Sequence, residues 1–114
     1  MNNFTKITLS KRDFVSSGCV FRLPARYPYE SIVDFMLCRV PASDSYFGLI
    51  VTTGYKAGII FQLLPAECLH DSAAVSLSWI KDNWNKWIYE DCSIDEVLFS
   101  EGYLAEPDQG TSEG

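Results

Sequence analysis

The residues of this 114-residue chain that could do acid–base chemistry are few. His70, its single histidine, stands in a loop between Glu67 and Asp71, which could orient it as a base. Nucleophilic catalysis also needs a serine or cysteine set on a sharp turn, and no Gly-x-Ser-x-Gly or comparable signature is present. A surface-loop histidine is the plainer reading. Glu90 with Asp91 and Asp95 with Glu96 are adjacent carboxylates. Such pairs can serve acid–base work, but on an exposed turn they are ordinarily solvated, so their acidity matters more for contact with a partner. Cys19, Cys38, Cys68 and Cys92 contain no Cys-x-x-Cys pair, and a zinc site would have to be gathered from scattered elements. Gly54 to Gly58 is too short for a phosphate loop and lacks its Gly-Lys-Ser/Thr ending. No catalytic residue, cofactor or metal is expected.

Charge narrows the partners. The formal net charge is -6, which argues against non-specific nucleic-acid binding, since that requires a basic surface to displace phosphate counterions. Residues 1–56 carry seven Lys or Arg against four Asp or Glu, a balance of +3, whereas residues 57–114 carry two against eleven, a balance of −9. The second half is therefore the candidate acidic face, able to steer a basic partner by long-range attraction. The start Met-Asn-Asn-Phe-Thr-Lys has no apolar run suited to a signal peptide, and no segment approaches the ~20 apolar residues of a membrane span. A cytoplasmic protein whose cysteines stay thiols is expected, with Cys19 and Cys38 as core residues because each sits in an apolar run.

The element that must position these groups is a tryptophan-bearing helix. Leu77, Ile80, Trp84, Trp87 and Ile88 fall at i, i+3, i+7, i+10 and i+11, the spacing of one apolar helix face. The helix should begin near Ser76 or Ser78, whose hydroxyls can cap free N–H groups, and run to about Ile88. Trp84 and Trp87 are expected in the core. Trp79 lies about 100° round the helix from Ile80, where it can either pack at the margin or face a partner.

Strands account for most of the rest. Lys6–Ser10 reads as a short edge strand with Ile7 and Leu9 on one face. Cys19–Leu23 alternates as a half-buried strand. In Ser31–Val40 the residues Val33, Phe35 and Leu37 share one side, opposite Ile32, Asp34, Met36 and Cys38. Tyr46–Thr53 and Gly58–Leu64 form a hairpin expected at the middle of the sheet, with Tyr55 and Lys56 at its tip between Gly54 and Gly58. Residues 66–74 read as a loop and Ile94–Phe99 as a last strand. The expectation is one α+β domain over residues 1–104, a predominantly antiparallel sheet of about five or six strands with one main Trp-rich helix packed on one face. Residues 105–114 follow as a disordered acidic tail.

Several segments also carry a resemblance. Phe21-Arg-Leu-Pro, Tyr27-Pro-Tyr-Glu-Ser-Ile-Val-Asp-Phe, Thr53-Gly-Tyr-Lys-Ala-Gly and Trp79-Ile-Lys-Asp-Asn-Trp-Asn-Lys-Trp-Ile-Tyr resemble a family of small immunity proteins from bacterial polymorphic-toxin systems, including contact-dependent inhibition, over roughly residues 18 to 99. The resemblance implies an α+β protein of the producing cell's cytoplasm that neutralises a cognate toxin by tight non-covalent binding, with no catalytic residues. It names no contact residue. The acidic half would suit a toxin domain with a basic active-site cleft, so Glu90, Asp91, Asp95 and Glu96 are the expected toxin-facing residues, with Tyr55, Lys56 and Trp79 as further candidates. Two other functions remain compatible with the residues: a small hydrolase using His70 with a nearby carboxylate, and an adaptor for an endogenous partner.

Overall fold

The structure, a computed structural model, describes residues 4–27 and 29–103. Among the described residues the fold is α+β, with nine strands and one main helix. Strands β1 (Thr5–Lys6), β3 (Val20–Pro24), β4 (Ile32–Arg39), β5 (Phe47–Val51), β6 (Ile60–Leu63) and β9 (Leu98–Ser100) form an antiparallel sheet in the order β1-β9-β3-β4-β5-β6. A second antiparallel sheet joins β2 (Phe14–Val15), β8 (Ala74–Ser76) and β7 (Leu69–Asp71), in the order β2-β8-β7. The tail expected over residues 105–114 lies outside the described residues.

Alternation on β4 builds the large sheet's inner face. Val33, Phe35 and Leu37 are fully buried, while Ile32 is exposed and Met36 and Cys38 are half-buried. Phe21 and Leu23 of β3 and Leu49 and Val51 of β5 add to the same core. The helix meets this layer through Trp84, whose ring lies 5.8 Å from that of Phe21. Burying an aromatic side chain of this kind stabilises by about 1.5–3 kcal/mol. Asp34, placed on the outer side of β4 by its alternation, is nevertheless fully buried.

The helix α1 spans Leu77–Asn83 and continues as one π-helical turn, Trp84–Ile88. Ser76 caps it, its hydroxyl accepting the Trp79 N–H at 3.2 Å. Leu77, Ile80, Trp84 and Ile88 are buried as the stripe predicts, but Trp87 is 36% exposed. The π turn explains the difference. The regular pattern breaks at Asn83 (φ −113°, ψ 11°), and the Tyr89 N–H bonds the Trp84 carbonyl five residues back at 2.9 Å. Each residue of such a turn advances by less than 100°, so Trp87 rotates off the stripe that an unbroken α-helix would have given it. It comes instead beside Trp79, with ring centroids 6.1 Å apart.

Other segments depart from their expected form. Of the expected strand Lys6–Ser10 just Lys6 is strand, as part of Thr5–Lys6; Ile7–Leu9 is a 3-10 turn closed by the Ser10 N–H on the Ile7 carbonyl, which buries Ile7 and leaves Leu9 71% exposed. β5 is interior, but β6 is an edge of the sheet, with Ile60 and Leu63 exposed, as is Ile59 just before it. Residues 66–74 hold a 3-10 turn, Ala66–Cys68, and then the β7–β8 hairpin, whose bend is secured by the Ala73 N–H donating to Asp71 Oδ1 at 2.8 Å. The expected strand over Ile94–Phe99 begins only at Leu98, because Ser93 and Glu96 cap a 3-10 turn at Ile94–Glu96. Of the two cysteines expected in the core, Cys19 is buried and Cys38 is half-buried.

Candidate binding surface

The carboxylates singled out in the sequence fall in two places. Glu90 and Asp91 are exposed in the turn that leaves the π helix. Asn85 organises that turn, its Nδ2 donating to the carbonyls of Cys92 at 2.7 Å and Tyr89 at 3.2 Å. The same amide lies 3.5 Å from the Glu90 carbonyl, so the turn is held through its backbone while the Glu90 and Asp91 side chains stay on the surface.

Asp95 and Glu96 are also exposed, but they sit in the capped turn before β9. The Ser93 hydroxyl accepts the Asp95 N–H at 3.2 Å, and Glu96 Oε1 accepts the Ser93 N–H at 3.3 Å. Glu96 therefore has a structural task besides its charge. It lines a shallow hollow with Arg22, Pro24, Ile32 and Leu98 at the end of the large sheet, whereas Glu90 and Asp91 line a different groove with Phe61, Lys86, Trp87 and Tyr89.

The hairpin tip is a 3-10 turn, Gly54–Lys56, which opens on Gly54 at φ 70° and is followed by Gly58 at φ 96°. These are backbone conformations open to glycine and costly for other residues. A Cβ at Gly54 would also run into the Glu30 carboxylate. Tyr55 is 73% exposed, and Lys56 is half-buried with its Nζ 5.5 Å from the Tyr55 ring centre. Trp79 is half-buried, packing against the core on one side and Trp87 on the other.

The groove beside Glu90 and Asp91 has an aromatic foundation that no spacing in the sequence reveals. Phe61 stacks on Phe35 at 4.2 Å, and Tyr29 and Tyr89 approach both rings at 6.0–6.5 Å. The Tyr89 hydroxyl accepts the Arg26 N–H at 3.0 Å, which fixes the ring. Burial, and then the neighbouring Tyr89, push the Tyr29 hydroxyl pKa up. These residues come from four separate segments, and only the fold assembles them. A local signal existed for one part: Asn83 and Asn85, amides that compete for backbone carbonyls, flank Trp84 where the helix changes form. The Asn83 amide does donate to the Trp79 carbonyl at 3.0 Å.

The residues proposed for catalysis are not assembled into an acid–base site. His70 is exposed and its ring stacks on Phe14 at 5.0 Å, while the Asp71 carboxylate holds the β7–β8 bend. Among the described residues no group of three or more His, Cys, Asp or Glu is placed to hold a metal ion, and no helix is long and apolar enough to cross a membrane. All four cysteines are free thiols. Burial raises the pKa of each, Cys19 to about 12 and Cys92 to about 11, so none has the lowered pKa of a reactive nucleophile.

A family model described as Immunity protein 45 matches residues 7–99. No curated protein and no solved structure matches the chain.

Proposed function

Because the chain belongs to the immunity protein 45 family, we propose that it binds one cognate bacterial toxin domain and neutralises it by covering the active site or substrate surface. The match across residues 7–99 carries this reading. The toxin would belong to a contact-dependent or other polymorphic-toxin system, and the complex would form in the cytoplasm of the producing cell. Neutralisation by occlusion requires no catalytic group, only a complementary surface and slow dissociation.

The exposed carboxylates supply a basis for complementarity. A toxin that acts on nucleic acid needs a basic cleft, and Glu90, Asp91, Asp95 and Glu96 would meet it with opposite charge, speeding encounter and fixing orientation. Tyr55, Lys56 and Trp79 are the further contact candidates.

Co-expression with the toxin domain encoded beside this chain tests the central claim. The expected result is a stable complex lacking toxin activity; a toxin that neither binds nor loses activity would overturn it. Charge reversal at all four carboxylates should slow association most at low salt. An unchanged association rate there would remove these residues from the interface and leave neutralisation to another surface.

A further inference from the structure

The groove at the end of the helix combines three features that together select a particular ligand chemistry. Its walls include the rings of Phe61, Trp87 and Tyr89, and Glu90 and Asp91 lie on its border. It sits at the C-terminal end of α1 and its π turn, where the peptide dipoles favour positive charge. π turns recur at functional positions, and this one has a direct consequence: it moves Trp87 out of the core and onto the groove.

We propose that this groove receives the side chain of an arginine presented by the partner protein, the guanidinium lying against the aromatic walls and pairing with Glu90 and Asp91. Arginine fits better than lysine because its guanidinium is planar, weakly hydrated and able to stack on a ring while its edge donates to a carboxylate. An anion would meet two carboxylates and a helix C-terminus. An uncharged apolar residue could use the rings but would leave the carboxylates unpaired. Lys86 also lines the groove. Its ammonium, carried on the same groove, would compete for those carboxylates and so should oppose binding of the incoming cation.

The inference rests on the partner-binding function proposed above, but it can be tested without the partner. The probe is N-acetyl-arginine amide, titrated into the isotopically labelled full chain with the Trp87 indole N–H as reporter. N-acetyl-citrulline amide, of nearly the same shape but uncharged, is the control. The arginine amide should produce a saturable shift centred on Trp87 and Tyr89 that citrulline does not reproduce. Glu90→Gln combined with Asp91→Asn should weaken it about fivefold, and Lys86→Ala should tighten it about twofold or more, at low salt. These positions are exposed, and unchanged thermal unfolding of the variants verifies that the fold is kept.

Equal shifts from citrulline, or undiminished arginine binding by the double carboxylate variant, would overturn the proposal. Parallel measurement with the toxin domain separates the two claims. Arginine binding without toxin binding would retain the groove's ligand class and overturn the neutralisation reading. Toxin binding unaffected by either set of substitutions, with no arginine shift, would overturn the groove alone.

Discussion

Arg22 reaches across the β3–β4 ladder and takes both oxygens of Asp34, Nε to Oδ1 at 2.8 Å and Nη2 to Oδ2 at 2.9 Å. The two partners differ in access to water: the Asp34 side chain is 0% exposed and that of Arg22 29%. Removing either should therefore have unequal effects. Arg22→Met strands a buried carboxylate and is expected to cost about 3–5 kcal/mol. Asp34→Asn leaves a guanidinium that water can partly reach, so about 1–3 kcal/mol is expected. Denaturant unfolding of both variants checks the order, and a larger loss for Asp34→Asn would contradict it.

Tyr103 completes this network, its hydroxyl donating to Asp34 Oδ2 at 2.6 Å and lying 2.6 Å from Thr52 Oγ1. Burial first, and then the hydrogen bond to Asp34, push its pKa from the ordinary 10 up to about 12. The raised value means that the neutral hydroxyl is favoured by folding. Its contribution to stability is whole below pH 10 and disappears as pH rises through about 12. Tyr103→Phe should lower stability by about 1 kcal/mol near neutrality. The gap between variant and parent should then narrow between pH 10 and 12 in paired unfolding curves.

That network marks the limit of what the sequence made legible. Local alternation was enough to place Val33, Phe35 and Leu37 on the inner face, because strand geometry alone decides it. The burial of Asp34 was not visible, since its partners lie 12 and 69 residues away. The β7–β8 hairpin is hidden for another reason: strands of three residues are too short to show a period. Ser93-Ile-Asp-Glu96 did carry a readable signal, the Ser-x-x-Glu capping pattern, but the apolar alternation that follows drew it into a strand. For the candidate surface, the sequence supplied the exposed carboxylates and the tryptophans. It could not supply the groove, which depends on Phe61 from β6 meeting the helix exit.

The thiols should differ in reactivity according to burial, even though all four have raised pKa values. Cys19, Cys68 and Cys92 are buried, whereas Cys38 is half-buried on the outer side of β4. Alkylation of the folded chain by iodoacetamide at pH 8 should begin at Cys38, with Cys19 among the most protected. Peptide mapping by mass spectrometry gives the order. Early labelling of Cys19 would mean that the segment joining β2 to β3 opens readily.

The two tryptophans that an ideal helix would place side by side provide the sharpest test of the π turn. Trp84 is fully buried, and its Nε1 finds no hydrogen-bond acceptor among the described residues, so its contribution comes through packing on Phe21 and its neighbours. Trp84→Ala should cost about 3–5 kcal/mol, the range for deleting a large core aromatic. Trp87 has rotated to the surface beside Trp79, and Trp87→Ala should cost only about 1 kcal/mol. Were the helix regular to its end, both rings would lie on the buried stripe and the costs would be alike. Equal losses of several kcal/mol in chemical denaturation would thus reject the π turn, and with it the aromatic wall on which the arginine groove depends.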